Sequence, residues 1–150
     1  MLDHISLRVS DYMRSKLFYQ TVLAPLGYTL AMEGTSGAGF SKGPIPAFWI
    51  KQGQLTGRAS VMEPTPQAGC GGPQVHVAFV GENRGLVNAF HRAALEAGAR
   101  NNGSPGLRPD YHANYYSAFV LDPDGYNIEA VCHKAEQEKH HYDQQRPVSA

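Results

Sequence analysis

Asp3-His4-Ile5-Ser6-Leu7-Arg8-Val9 opens the chain, and Gln74-Val75-His76-Val77-Ala78-Phe79-Val80 returns to the same theme. Both runs alternate, or nearly alternate, between apolar and polar residues, the period expected of a strand with one buried face. Setting His4 on His76, 72 positions on, keeps the flanking sequence in step: Leu7 falls on Phe79, Phe18 on Phe90 and Leu23 on Leu95. A helical pattern follows each run and closes near a glycine, Gly27 in the first half and Gly98 in the second. The chain therefore reads as a duplication, with a histidine at the equivalent point of each copy.

Working outward from the first run, Ser10 and Asp11 are both suitable N-caps for a helix over residues 12–25. Met13, Leu17, Phe18, Val22 and Leu23 recur at helical spacing and are expected to face a sheet. Pro25 and Gly27 stop it, and strands are expected over 28–32, 38–41 and 47–51. In the second half a helix over 83–97 would turn Leu86, Val87, Phe90, Ala94 and Leu95 inward. Residues 101–109, with Asn-Asn-Gly-Ser-Pro-Gly, read as a turn-rich loop. Strands over 115–121 and 126–132 then flank Asp122-Pro123-Asp124-Gly125, whose proline and glycine suit a type I turn with a glycine bulge.

Each half is thus a βαβββ unit, and the fold class expected is α+β. Two tandem modules would form a curved, cup-like mixed sheet with the helices outside. Module one spans about 1–53, a Gly-, Pro-, Gln- and Thr-rich linker 54–73, module two about 74–133, and a polar tail 134–150, all in one domain.

Composition narrows the function. At 150 residues, 42% apolar and 17% charged with zero formal net charge, the chain has a globular balance and no basic stripe, so nucleic acid and anionic membranes are not expected partners. No apolar run reaches the ~20 residues a membrane helix needs, and the N-terminus has no signal-like apolar region. Two cysteines, Cys70 and Cys132, make no disulfide framework, and a reduced, cytoplasmic setting is expected.

A lone strand histidine is more often a hydrogen-bonded structural group than a ligand. Two at equivalent points of a repeat, with Glu129 on a late strand, suggest a two-histidine, one-carboxylate metal site. Parity agrees: His4, Ser6 and Arg8 share one strand face, and Asn127 and Glu129 oppose Ile128, Ala130 and Cys132. The competing role for Glu129 is a salt bridge with Arg8.

Asp3 to Val9, Phe18-Tyr19 with Leu26-Gly27, Val75 to Phe79, and Tyr116-Ser117-Ala118-Phe119 through Asp122-Pro123-Asp124-Gly125-Tyr126-Asn127-Ile128-Glu129 together resemble the vicinal oxygen chelate superfamily, the glyoxalase, bleomycin-resistance and dioxygenase fold. The resemblance covers residues 2–133 and is weakest in the linker. It implies metal ligands from the first and last strands of the modules, here His4, His76 and Glu129, holding a divalent ion such as Fe, Zn, Ni, Mn or Co. The fourth ligand of glyoxalase I, a glutamate, would come from residues 47–51, and Ala47-Phe48-Trp49-Ile50-Lys51 offers no carboxylate. Three ligands are the set that extradiol dioxygenases use for ferrous iron. That signature also has a tyrosine where this chain has Phe119, with His112 at a suitable spacing from Glu129.

The function expected from the resemblance is lyase or isomerase chemistry on a small oxygenated molecule chelated through two oxygens. An extradiol-type dioxygenase and a metal-free drug- or metabolite-binding protein are the alternatives. His112, Tyr115 and Tyr116 are the candidates for proton chemistry near the ion. Arg8, Trp49, Phe119 and Asn127 are the candidate substrate contacts. Arg8, Arg100 and Arg108 are the cations available to a glutathione-bearing substrate. A homodimer is implied.

Overall fold

The structure is a computed structural model that describes residues 2–53 and 75–136. The linker over 54–73, Cys70, and the tail beyond Glu136 with His140 and His141 lie outside the described residues. The first half runs β1 (Ile5–Val9), α1 (Tyr12–Leu23), a short 3-10 turn (Ala24–Leu26), β2 (Thr29–Glu33), β3 (Gly37–Ser41) and β4 (Phe48–Gln52). The second runs β5 (His76–Val80), α2 (Arg84–Glu96), β6 (Arg100–Leu107), β7 (Tyr116–Leu121) and β8 (Asn127–Cys132).

The two halves share one topology. Their four-stranded sheets have the orders β1-β4-β3-β2 and β5-β8-β7-β6, with the first pair parallel and the others antiparallel. The parallel pairing follows from the helix that intervenes between first strand and hairpin. This is the α+β tandem architecture expected, except that the strands form two sheets and do not close into one.

Each helix begins at an oxygen-bearing cap. Asp11 accepts from the backbone N–H of Arg14 at 3.0 Å, and Asn83 from that of Leu86 at 3.0 Å, each worth about 1 kcal/mol to its helix. The helices cover one face of each sheet. Leu7, Val9, Phe40, Phe48 and Ile50 from the first sheet join Val77, Phe79, Val120 and Ile128 from the second in one continuous core. The Phe48 and Phe79 rings meet edge to face at 5.2 Å, so the core crosses the boundary between modules.

The Asp122-Pro123-Asp124-Gly125 turn fastens the modules together. Gly125 adopts φ 88°, the left-handed conformation the turn requires, and its N–H donates to the Asp122 carbonyl at 3.0 Å. Buried Asp122 accepts from the N–H of Asp124 and of Tyr126 and from the Tyr19 hydroxyl of α1, at 2.9, 2.8 and 2.6 Å. Burial pushes the Asp122 carboxyl upward from its ordinary range, and the Tyr19 and backbone donors pull it back. Asp124 takes the backbone N–H and hydroxyl of Ser10, and the Tyr126 hydroxyl reaches the Arg8 carbonyl at 2.8 Å. This turn is therefore a structural clasp between the modules.

Three expectations need correction. Residues 101–109 are mostly strand: β6 pairs with β7, and its register shifts between Asn101 and Gly103 and between Gly103 and Gly106. As the edge strand, β6 tolerates Pro105, whose missing N–H costs no ladder bond on its open side. Met13 and Leu17 face outward at 55% and 60% exposure, because α1 buries Tyr12, Ser15, Phe18, Tyr19, Val22 and Leu23 instead. Leu95 is likewise exposed, although its repeat partner Leu23 is buried.

Candidate metal and substrate site

On the second sheet, strand alternation places His76, Asn127, Glu129 and Phe119 on the face away from the helices, with Tyr115 entering β7 on that face. Glu129 is 1% exposed, although its strand face is not covered by either helix. A buried carboxylate needs partners, and it has two. His76 Nε2 lies 2.9 Å from Oε2, and the Tyr115 hydroxyl donates to Oε1 at 2.8 Å. The Phe119 ring stands 5.9 Å from the His76 ring at a steep angle, and the imidazole stays half-exposed. Burial, first, and then the hydrogen bond to Glu129 push the Tyr115 phenol up to about 12. It is a neutral donor throughout the physiological range.

Tyr115 also begins a second cluster. Its ring contacts those of His112 and His133 edge-on, at 5.4 and 5.2 Å, and His112 Nε2 lies 2.9 Å from His133 Nδ1. Sequence reasoning put His133 at the very end of module two, named it as no site residue, and missed this contact. The signal was present: continuing the parity of β8 past Asn127, Glu129 and Val131 brings His133 to the same face. Tyr116, one residue on, points the other way and donates to Asn88 of α2 at 2.9 Å, so only one of the adjacent tyrosines reaches Glu129.

His4 lies just before β1 with its side chain 56% exposed and Nδ1 2.6 Å from Asp3 Oδ1. It lines a hollow of about 300 Å³ that His76 also lines, between the starts of β1 and β5. The structure thus pairs His76 with Glu129 and places His4 on a hollow that His76 also lines but Glu129 does not. Among the described residues, no three His, Cys, Asp or Glu side chains are clustered tightly enough to hold an ion as they stand. The Arg8–Glu129 salt bridge does not form; the Arg8 guanidinium instead reaches the Gln52 carbonyl at 3.5 Å. Asn127 accepts from the Asn102 amide at 3.0 Å. Arg108 lies over Phe119, 5.5 Å from the ring centre.

Register also shows what the first half has in place of Glu129. Ala78, two residues after His76, pairs with Glu129, and Ser6, two residues after His4, pairs with Trp49. Trp49 therefore occupies the repeat-equivalent position. Its six-membered ring lies over Gly39, where any β-carbon would sit 2.9 Å from it. Together with Asp3, His4, Met32, Ile45, Pro46 and Lys51 it lines a second hollow of about 400 Å³.

The sequence matches the family model of the Glyoxalase/Bleomycin resistance protein/Dioxygenase superfamily over residues 1–130. The chain belongs to this superfamily. No protein with a curated description matches it. Among solved structures, it is similar to a glyoxalase/bleomycin resistance protein from Albidiferax ferrireducens T118, with 25% identity, TM-score 0.68, and 88% and 98% of the two chains covered. It shares its fold with a lactoylglutathione lyase from Agrobacterium tumefaciens at 19% identity and TM-score 0.60, covering 88% and 92%. A fosfomycin resistance protein from Mesorhizobium loti has the same fold at 16% identity and TM-score 0.60, covering 89% and 92%. Among the described residues no helix is long and apolar enough to cross a membrane.

Proposed function

We propose that this superfamily member is a metal-dependent enzyme of the glyoxalase-related kind, working in the cytoplasm as a homodimer on a small oxygenated molecule. The observation that carries the reading is the buried carboxylate of Glu129, held 2.9 Å from a half-exposed imidazole on an uncovered sheet face. A nitrogen and an oxygen donor so placed suit a zinc-class or iron-class divalent ion, and the third donor assigned to it is His4, which shares a hollow with His76. Three protein ligands leave coordination positions for substrate.

When bound, the ion supplies Lewis-acid stabilisation of negative charge developing on a chelated substrate oxygen. The chain's own residues do the rest. Tyr115 occupies Oε1 of Glu129 and so orients Oε2 toward His76. Phe119 stands beside His76, and Asn127 lies across from His76 on β8. The His112–His133 pair beside Tyr115 is the candidate for taking up a substrate proton. A second copy of the chain covers the two open sheets.

Metal analysis of protein purified without an affinity tag, followed by titration with Mn, Fe, Co, Ni and Zn, tests the reading. One divalent ion per chain is expected, lost in both His76→Ala and Glu129→Gln. No bound ion and no rebinding of any of the five would sink it.

A metal-free binding protein is the second reading, supported by the aromatic hollow around Trp49 and the absence of a three-donor group among the described residues. It calls for saturable ligand binding that is unchanged in His76→Ala and accompanied by no turnover.

A further inference from the structure

The hollow of the first module is chemically unlike that of the second, and the difference bears on which molecule the cup accepts. Met32 and Ile45 border it at 55% and 71% exposure, with Pro46 beside them, a high cost in exposed apolar surface for a site with no partner. Trp49 lies flat enough on the sheet to need a glycine beneath it, which leaves a broad aromatic surface on the hollow's wall. One row along the sheet, Lys51 pairs with Arg8, and both project to the same face as Trp49. Asp3, the acid in this hollow, is turned to His4, and Lys51 forms no ion pair among the described residues. Asp3 and His4 line both this hollow and the one that His76 lines.

We infer that the substrate is an aromatic-bodied acid: its ring lies against Trp49 and its anionic group meets Lys51 with Arg8 alongside. The inference rests on the reading of this cup as a substrate site, and it adds the substrate's chemical class. An aromatic face gains from a second ring what an aliphatic chain of the same polarity cannot supply. A lone lysine at a rim selects for negative charge more than it adds affinity.

Trp49 is the sole tryptophan of the chain, so its fluorescence reports directly on this wall. The experiment titrates metal-stripped, full-length protein with mandelate, lactate and mandelamide, which vary the ring and the charge separately. Mandelate is expected to change Trp49 emission saturably and to bind at least about tenfold more tightly than lactate. Lys51→Met, a change at an exposed position, is expected to weaken mandelate about threefold or more and to leave mandelamide unaffected. Equal affinities for mandelate and lactate, or no response of Trp49, would overturn the assignment of an aromatic body. An unchanged mandelate affinity in Lys51→Met would overturn the assignment of the anion. Repeating the titration with added Zn²⁺ separates the two proposals. Ring and charge discrimination without zinc binding upholds the substrate class and rejects the metal centre, and zinc binding without discrimination does the reverse.

Discussion

At one and the same place in two copies of a βαβββ unit, the first module has an indole and the second a carboxylate. The scaffold around them is conserved to the level of register: Ser6 faces Trp49 as Ala78 faces Glu129. Both side chains lie over an uncovered sheet face, yet each is stabilised differently. Glu129 is buried and satisfied at both oxygens by an imidazole and a phenol. Trp49 needs only shape, provided by Gly39 beneath its ring. The comparison teaches that the duplication fixes where chemistry can be placed, while a single residue decides which half receives it. On the proposed reading, the half with the carboxylate takes the ion and the half with the indole takes an apolar body.

The sharpest break of that comparison comes from removing the charge at one position and the ring at the other. Glu129→Gln keeps the volume and can still accept from Tyr115, but offers no anionic ligand. Calorimetric titration with Zn²⁺ or Mn²⁺ is expected to show a loss of more than about 100-fold in affinity. Trp49→Phe should leave the same titration within about twofold, since an indole ligates nothing. Comparable losses in the two variants would mean that the halves do not divide the work as described.

Next in size are the glycine floors. A β-carbon at Gly39 would lie 2.9 Å from the Trp49 ring, and one at Gly103 would lie 2.8 Å from Phe119, the ring that flanks His76. Gly39→Val and Gly103→Val are each expected to cost about 1–3 kcal/mol in urea denaturation, through displacement of the aromatic ring. Their functional signatures should diverge. Gly39→Val alters Trp49 emission and leaves metal affinity intact, and Gly103→Val weakens metal binding. If both variants affect metal binding equally, the two hollows are not separable.

How much of this could be read without coordinates depends on which forces set each element. The repeat, the two capped helices, the strands carrying His76 and Glu129 and the strand that starts just after His4 show in the sequence because burial imposes its period on them directly. Strand β6 does not, since Asn101, Gly103 and Pro105 are poor strand formers and hold the edge only through pairing with β7. Parity correctly put Glu129 on the uncovered face, but no period distinguishes Arg8 from His76 as its partner. Tyr115 and His133 meet because β7 and β8 are paired, with Tyr116 opposite Cys132 in register, a fact about tertiary structure that composition does not carry. The Met13 and Leu17 error has a similar origin: α1 packs through Tyr12, Tyr19 and Ser15, and the polar atoms of the tyrosines hide them from an apolar count.

The smallest effect is also the most specific to the second half, because the first has no counterpart of Tyr115. Tyr115→Phe deletes only the hydroxyl that holds Oε1 of Glu129, and metal affinity is expected to fall by about tenfold, as for loss of a group that orients a ligand. The same hydroxyl gives an independent readout in alkali. Its folded-state pKa is raised from 10.0 to about 12, so the neutral phenol contributes its full stabilisation below pH ~10. That contribution is lost as the pH rises through the folded value, when a phenolate would stand against the Glu129 carboxylate. Ultraviolet titration of the tyrosines should therefore show a component ionising near pH 12 that Tyr115→Phe removes. Tyr19, buried beside Asp122, is pushed well above the ordinary range and should survive in that variant as a later transition. If the component near pH 12 persists without Tyr115, the phenol does not hold Glu129, and that carboxylate must be oriented by His76 alone.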